Sequence, residues 1–205
     1  MCTGKCSKFI GVSLYPFTLI CIICNLILLF PSWSVEYVKD ARNHLTPEVL
    51  YLGGIIGGGA LVLIPAIHIQ ATGRKGCCNN RCGMFLSILF AAIGVVGSGY
   101  CFIVSVLGMV KGPVCNIDPF YNSTSNATGW GRPFDGDLKE FSEENYLFKK
   151  DLWNVCKQPS GVVEFNIILF SILLASSAIE LVLCAIQMIN GLFGCLCGAC
   201  GGNKD

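Results

Sequence analysis

Charge is what this chain has least of. Asp, Glu, Lys and Arg make up 13% of its 205 residues against 53% hydrophobic, and the formal net charge is +1. With a mean hydropathy of +0.63, the composition excludes an ordinary soluble domain. No Lys and Arg cluster in a basic domain, so the chain has no electrostatic footprint for nucleic acid. Histidine is nearly missing: His44 and His68 are the only two, and they fall at opposite ends of one apolar block. No GxSxG or Cys-His nucleophile arrangement occurs, and the glycine runs lie inside apolar blocks rather than in a phosphate-cradling loop. These absences point to a non-enzyme that needs no cofactor.

What is present is four long apolar blocks, at 9–30, 50–71, 84–110 and 165–193. Each reaches the roughly 20 residues that a helix needs to cross a bilayer. The first is about 22 residues long, beyond the short core of a secretory signal, and is expected to stay as a span. The expected fold class is an all-α membrane protein, an antiparallel bundle of four transmembrane helices. Its joints are a tail at 1–8, a small loop at 31–49, a hairpin at 72–83, a large loop at 111–164 and a tail at 194–205. Asn43 to Pro47 reads as a turn into the second helix, with Thr46 as N-cap and Pro47 in the first helical position. Small residues recur at Gly53, Gly54, Gly57, Gly58 and Gly59, and again at Gly94, Gly97 and Ser98. Pairs four apart let helix backbones approach closely in lipid.

The large loop fixes the sidedness. It holds eight of the thirteen acidic residues and so lies in water, and both Asn122-Ser123-Thr124 and Asn126-Ala127-Thr128 are N-glycosylation acceptors. Only a lumenal or extracellular segment can be modified there. The bases agree: Lys5, Lys8, Arg74, Lys75 and Arg81 sit in the first tail and the hairpin with no acid beside them. The first loop holds Lys39 and Arg42 against Glu36, Asp40 and Glu48. By the positive-inside rule both tails and the hairpin are cytosolic and both loops extracellular.

Cysteine divides along the same line. The large loop contains only Cys115 and Cys156, which in an oxidising compartment have only each other. Closing a loop of about 40 residues is worth roughly 4 kcal/mol on the chain-entropy model. Its aromatic residues Phe120, Tyr121, Trp130, Phe134, Tyr146, Phe148 and Trp153 either fill a small core or form a partner-binding face. Cys2, Cys6, Cys77, Cys78, Cys82, Cys195, Cys197 and Cys200 all lie near an expected cytosolic membrane surface. S-palmitoylation suits that placement, with plain thiols or a metal centre as the other readings. Neither cluster has a nearby His or a regular CxxC set, so no metal site is expected.

Glu180 falls near the middle of the fourth block, where an unpaired carboxylate is costly and marks a functional candidate. It is either a protonated interhelical link or a ligand contact. Counting inward from the outer end places it level with Tyr15, Pro65 and Val95, with Thr18, Ser98 and His68 as the nearest polar groups.

Several segments together resemble the transmembrane-four L-six family of tetraspanin-like proteins, over nearly the whole chain. They are Met1-Cys2-Thr3-Gly4-Lys5-Cys6, Asn43-His44-Leu45, Gly53-Gly54-Ile55-Ile56-Gly57-Gly58-Gly59, Gly97-Ser98-Gly99-Tyr100-Cys101 and Gly112-Pro113-Val114-Cys115. Leu152-Trp153-Asn154-Val155-Cys156, Leu169-Phe170-Ser171-Ile172-Leu173-Leu174 and Gln187-Met188-Ile189-Asn190-Gly191 complete the set. True tetraspanins carry a Cys-Cys-Gly triplet and at least four cysteines in the large loop, claudins a disulfide in the first loop, and connexins three cysteines in each. None of these patterns is met. The resemblance implies a multi-pass surface protein of the plasma membrane, or of endosomes or lysosomes, that organises other membrane proteins laterally in adhesion, motility and proliferation signalling. Adhesion or signalling receptors, the lipid bilayer and further copies of the chain are the implied partners. The rival readings are a small-molecule sensor or transporter built on Glu180, and a junction or vesicle four-span protein.

Overall fold

A run of apolar residues in lipid has no water to satisfy its backbone, so it bonds its own N–H and C=O groups as helix. The computed structural model describes residues 3–72, 81–117, 129–135 and 145–197. Along the chain it contains α1 (Thr3–Leu28), three short helices α2 (Glu36–Lys39), α3 (Ala41–His44) and α4 (Pro47–Leu50), a π-helical stretch Gly53–Ala60, then α5 (Leu61–Thr72) and α6 (Arg81–Lys111). Three short strands, β1 (Cys115–Ile117), β2 (Gly129–Gly131) and β3 (Cys156–Gln158), precede α7 (Val162–Cys197). Among the described residues four helical stretches are long and apolar enough to cross a membrane: Gly4–Leu28, Pro47–Ala71, Gly83–Lys111 and Val162–Cys195. The four-helix fold read from hydropathy is thus the observed one.

Packing follows a ring: α1 touches α5 and α7, and α6 touches the same two. Large apolar side chains such as Leu19, Ile23, Ile64, Ile103 and Val182 point outward, as a lipid-facing surface requires. Inside, one cluster gathers Cys21, Cys24, Leu28, Cys101 and Phe170, and a second gathers Ile10, Leu14, Val62, Ala91 and Cys184. The buried Ser105 hydroxyl returns its hydrogen to the preceding turn, donating to the Cys101 carbonyl at 2.7 Å. At the end of the bundle near the chain's N-terminus, Gln187 donates to Ser7 at 3.1 Å and to Ser87 at 3.3 Å, joining α1, α6 and α7.

The second span, expected as a transmembrane helix over 50–71, is interrupted near its start. Two residues beyond its first turn, α4, Leu52 adopts a left-handed conformation at φ 51° and ψ 34°. The chain then winds as π-helix through the glycines before tightening into α5. Glycine has no Cβ to resist the wider turn. The break would orphan backbone groups, and Asn25 of α1 meets them: its Oδ1 accepts from Ile55 N–H at 3.1 Å and its Nδ2 donates to the Val49 carbonyl at 3.5 Å. Thr46 stands in the N-cap position with Pro47 behind it, as read, but makes no side-chain cap bond. Its hydroxyl accepts instead from Val114 N–H at 3.3 Å, because the large loop folds down over this corner.

Candidate functional site

The described part of the second loop gathers around its disulfide. Cys115 opens β1 and Cys156 opens β3, the strands pair antiparallel in the order β2–β1–β3, and the Cys115–Cys156 bond closes across the ladder with Cα atoms 5.5 Å apart. Beneath it lies a small core of Tyr146, Val162 and Val163 with Phe134 and Trp153 against it. The Phe134 and Tyr146 rings stack at 4.4 Å, and Trp153 Nε1–H donates to the Tyr146 carbonyl at 2.8 Å. The Tyr146 hydroxyl donates to the carbonyl of Met109 on α6. Burial pushes its phenol well above the ordinary tyrosine value, and the Arg132 charge offsets this only in part.

Of the loop aromatics, Phe134, Tyr146 and Trp153 therefore build core, while Phe148 is 66% exposed. Trp130 packs on the first loop, 4.3 Å from the His44 ring. Phe120 and Tyr121 lie outside the described residues, as do the two acceptors Asn122 and Asn126.

A buried ion pair fixes this cap to the helices. Glu48, at the head of the second span, is 3% exposed and accepts from the Arg132 guanidinium just after β2. Lys111 Nζ, at the end of α6, stands 4.0 Å from its other oxygen. No local pattern marks this pair, since its partners are 84 residues apart.

Within the bundle Glu180 has 0% exposure, and neither of its carboxylate oxygens has a hydrogen-bond partner among the described residues. A Cβ on Gly58 would come within 3.1 Å of Oε2, and Cys21 and Cys101 lie beside it. Its level is therefore that of Cys21, Gly58 and Cys101, not of Tyr15, Pro65 and Val95. The inward count fails because α7 begins inside the loop core at Val162 and Val163 rather than level with the other helix ends. Of the three polar groups read as its neighbours, two hydrogen-bond elsewhere and one packs on a ring. Thr18 donates to the Tyr15 carbonyl at 2.8 Å and Ser98 to the Gly94 carbonyl at 2.7 Å. His68 stacks on Phe90 at 4.3 Å.

The glycines face the chain's own helices. Ideal Cβ atoms at Gly57 and Gly97 would each strike the other's carbonyl oxygen at 2.7 Å, which sets how closely the second span and α6 approach. Gly54 and Gly58 meet Cys21, Gly59 meets Ile22, Gly53 meets Val104 and Gly94 meets Cys184. A glycine-lined face is thus used inside the bundle.

Of the membrane-proximal cysteines, Cys6 is exposed and Cys195 half-buried near the end of α7. Cys82 and Cys197 fall within helix ends, while Cys2, Cys77, Cys78 and Cys200 lie outside the described residues. No group of three or more His, Cys, Asp or Glu able to hold a metal ion occurs among the described residues.

The L6 membrane protein family model matches residues 1–201. Transmembrane 4 L6 family member 4 of Mus musculus is 45% identical over 98% of this chain and 94% of its own length. Member 1 of Homo sapiens is 41% identical over 98% and 96%, and member 5 of Homo sapiens 40% over 100% and 98%. No solved structure matches the chain. With four membrane-crossing helices, a disulfide-closed loop and full-length likeness to these proteins, the chain belongs to the L6 membrane protein family.

Proposed function

We propose that this multi-pass membrane protein is a non-enzymatic organiser that holds partner membrane proteins beside it through its large loop. The observation that carries this reading is the way the described part of that loop is tied to the helices. The Cys115–Cys156 bond closes it, the Glu48–Arg132 pair and the Tyr146 bond to Met109 tie it to the second span and α6, and Phe148 stands 66% exposed on its surface. A large aromatic held outward on such a support loses little entropy when a partner covers it. In this reading the loop is extracellular and carries glycans on Asn122 or Asn126. The tails and the 72–83 hairpin are cytosolic and acylated on some of their cysteines, and the plasma membrane is the main site, with endosomes or lysosomes beside it. Adhesion and signalling receptors are the proposed partners.

The test is affinity purification of the full-length protein in mild detergent beside Phe148→Asp. Because Phe148 is outside the loop core, the variant should keep its disulfide and its yield while losing the co-purifying membrane proteins. An unchanged set of partners in the variant would remove the loop from the mechanism.

One observation favours a second reading, a sensor or transporter for a small molecule: the Glu180 carboxylate is buried with no hydrogen-bond partner among the described residues. Glu180→Gln separates the two, because the organiser keeps its partners and the sensor loses its response.

A further inference from the structure

A cleft of about 730 Å³ opens where the two loops meet, and none of the features above uses it. Its volume falls among those of small-ligand sites, which run from about 300 to 1,000 Å³. The sheet supplies its second-loop side. Trp130 of β2 and Gln158 of β3 both pair with Asn116 of β1, one from each edge, and both line the cleft. Residues directly opposite in an antiparallel ladder project from the same face, so the indole and the two carboxamides form one row across the sheet. Cys115 and Ile117, on either side of Asn116, are buried, so the row is the face turned away from the disulfide core. Two strand spacings separate its ends, about 10 Å, close to the length of two linked pyranose rings.

Glu36 and Tyr37 of α2 line the first-loop side. The Tyr37 and Trp130 rings stand 5.8 Å apart with planes tilted by 59°, and His44 braces the Trp130 ring at 4.3 Å. Glu36 and Gln158 are exposed, and no hydrogen bond or ion pair among the described residues takes up the Glu36 carboxylate or the Gln158 amide. Lys157, which also borders the cleft, is engaged by a partner and takes no part. An anion would meet the Glu36 charge, a simple cation would use Glu36 and the rings and leave the carboxamide row idle, and an apolar ligand would strip water from carboxylate and amide alike. A sugar suits every wall. Its C–H face is slightly positive and lies on the negative face of an aromatic ring, while its hydroxyls donate to a carboxylate and both donate to and accept from a carboxamide.

We infer that the cleft formed by Glu36, Tyr37, Trp130 and Gln158 is a binding site for an uncharged oligosaccharide. One pyranose ring lies with its C–H face on Trp130 beside Tyr37, the next meets Gln158, and Glu36 accepts from the hydroxyls. The oligosaccharide belongs either to an N-glycan of this chain or to the glycan of a neighbouring molecule. The inference goes beyond the organiser reading, and its readout involves no partner protein, so either can fail alone.

The test is binding of the full-length protein, in a detergent without a sugar headgroup, to an array of immobilised oligosaccharides. Uncharged ones ending in galactose, mannose or N-acetylglucosamine stand beside sialylated and sulfated ones, and the protein is applied before and after treatment with peptide N-glycosidase. The wild type should bind an uncharged oligosaccharide above the charged ones in at least one of the two states. Trp130→Leu should weaken that binding about tenfold, the loss of one stacked ring, and Gln158→Ala should weaken it several-fold. Phe148→Asp, outside the cleft, should leave it unchanged. An intact Cys115–Cys156 bond on a non-reducing gel confirms that each variant is folded, and exposed Gln158→Ala serves where Trp130→Leu fails that control. Binding that appears only after the glycosidase identifies the chain's own N-glycan as the occupant; binding of equal strength in both states identifies the glycan of a neighbour. No binding of an uncharged oligosaccharide in either state, a preference for the charged ones, or binding unchanged in both Trp130→Leu and Gln158→Ala overturns the assignment.

Discussion

The Arg132 guanidinium donates to the Glu48 carboxylate across 84 residues of sequence and so ties the large loop to the head of the second span. Glu48 is almost wholly out of water, and its remaining cation, Lys111, stands at the limit of an ion pair. Breaking a buried pair from one side leaves an uncompensated charge, whereas replacing both partners by apolar residues does not.

Arg132→Met should therefore lower stability by about 3 kcal/mol, and Glu48→Leu combined with Arg132→Met should recover most of it. Thermal unfolding in one detergent, completed as a double-mutant cycle, measures both. Two single variants whose losses simply add would show that the pair contributes no coupling.

Gly97 and Gly99 lie two residues apart on α6 and differ in what a methyl group would meet. At Gly97 a Cβ would come within 2.6 Å of the Leu61 Cβ, whereas at Gly99 the nearest atom is Leu181 Cδ1 at 3.6 Å. Gly97→Ala should cost about 1–3 kcal/mol as an overpacked contact, and Gly99→Ala should be close to neutral. Equal melting temperatures for the two would contradict the close approach at Gly57 and Gly97.

Opening the Cys115–Cys156 bond, whose ends are 41 residues apart in sequence, should cost about 2–5 kcal/mol. The loss should appear first in the loop, as faster proteolysis near Phe148 in Cys115→Ser combined with Cys156→Ser, with the helical content of the bundle kept. Loss of helix at the same rate as loop cleavage would show that loop and bundle unfold as one unit.

Tyr146 makes the loop sensitive to alkali. Its folded value lies above the unfolded one, so the folded state holds the proton longer and the neutral phenol contributes stability that is complete below the unfolded value of 10.0. That contribution declines as pH rises from there through the folded value. Wild-type stability should thus fall above pH 10 more steeply than that of Tyr146→Phe, which itself gives up about 1 kcal/mol at neutral pH with the bond to Met109. Parallel curves would mean that the phenol is solvated.

The sidedness has its own test. Treating the mature protein with peptide N-glycosidase should increase its gel mobility, and Asn122→Gln with Asn126→Gln should abolish the shift. An impermeant label on intact cells should reach the large loop and spare the tails. Labelling of the tails alone would invert the topology.

Much of this fold is legible in the sequence. Four apolar runs had no alternative to helix in lipid, and Cys115 had only Cys156 within its loop. The unread features depend on tertiary neighbours. Nothing local announces that Glu48 pairs with Arg132, or that the Thr46 hydroxyl accepts from Val114 rather than capping its own helix. The glycines of the second span read equally well as a close-packing face, and only Asn25 on another helix shows where the backbone breaks. The place of Glu180 in the fourth block marks it as intramembrane, but counting along the block misplaces its level, because α7 rises into the loop core.

The wide turns of Gly53–Ala60 also bear on how the chain tolerates changes of length. A π-helical turn takes up more residues than an α-helical turn of similar height. A variant lacking one of these glycines could rewind the stretch as ordinary helix while Leu61–Thr72 kept its place. In any of the other three spans a deletion would rotate every following side chain to a wrong neighbour. Slack of this kind makes the second span the place where a residue can be lost or gained without disturbing the register of the rest.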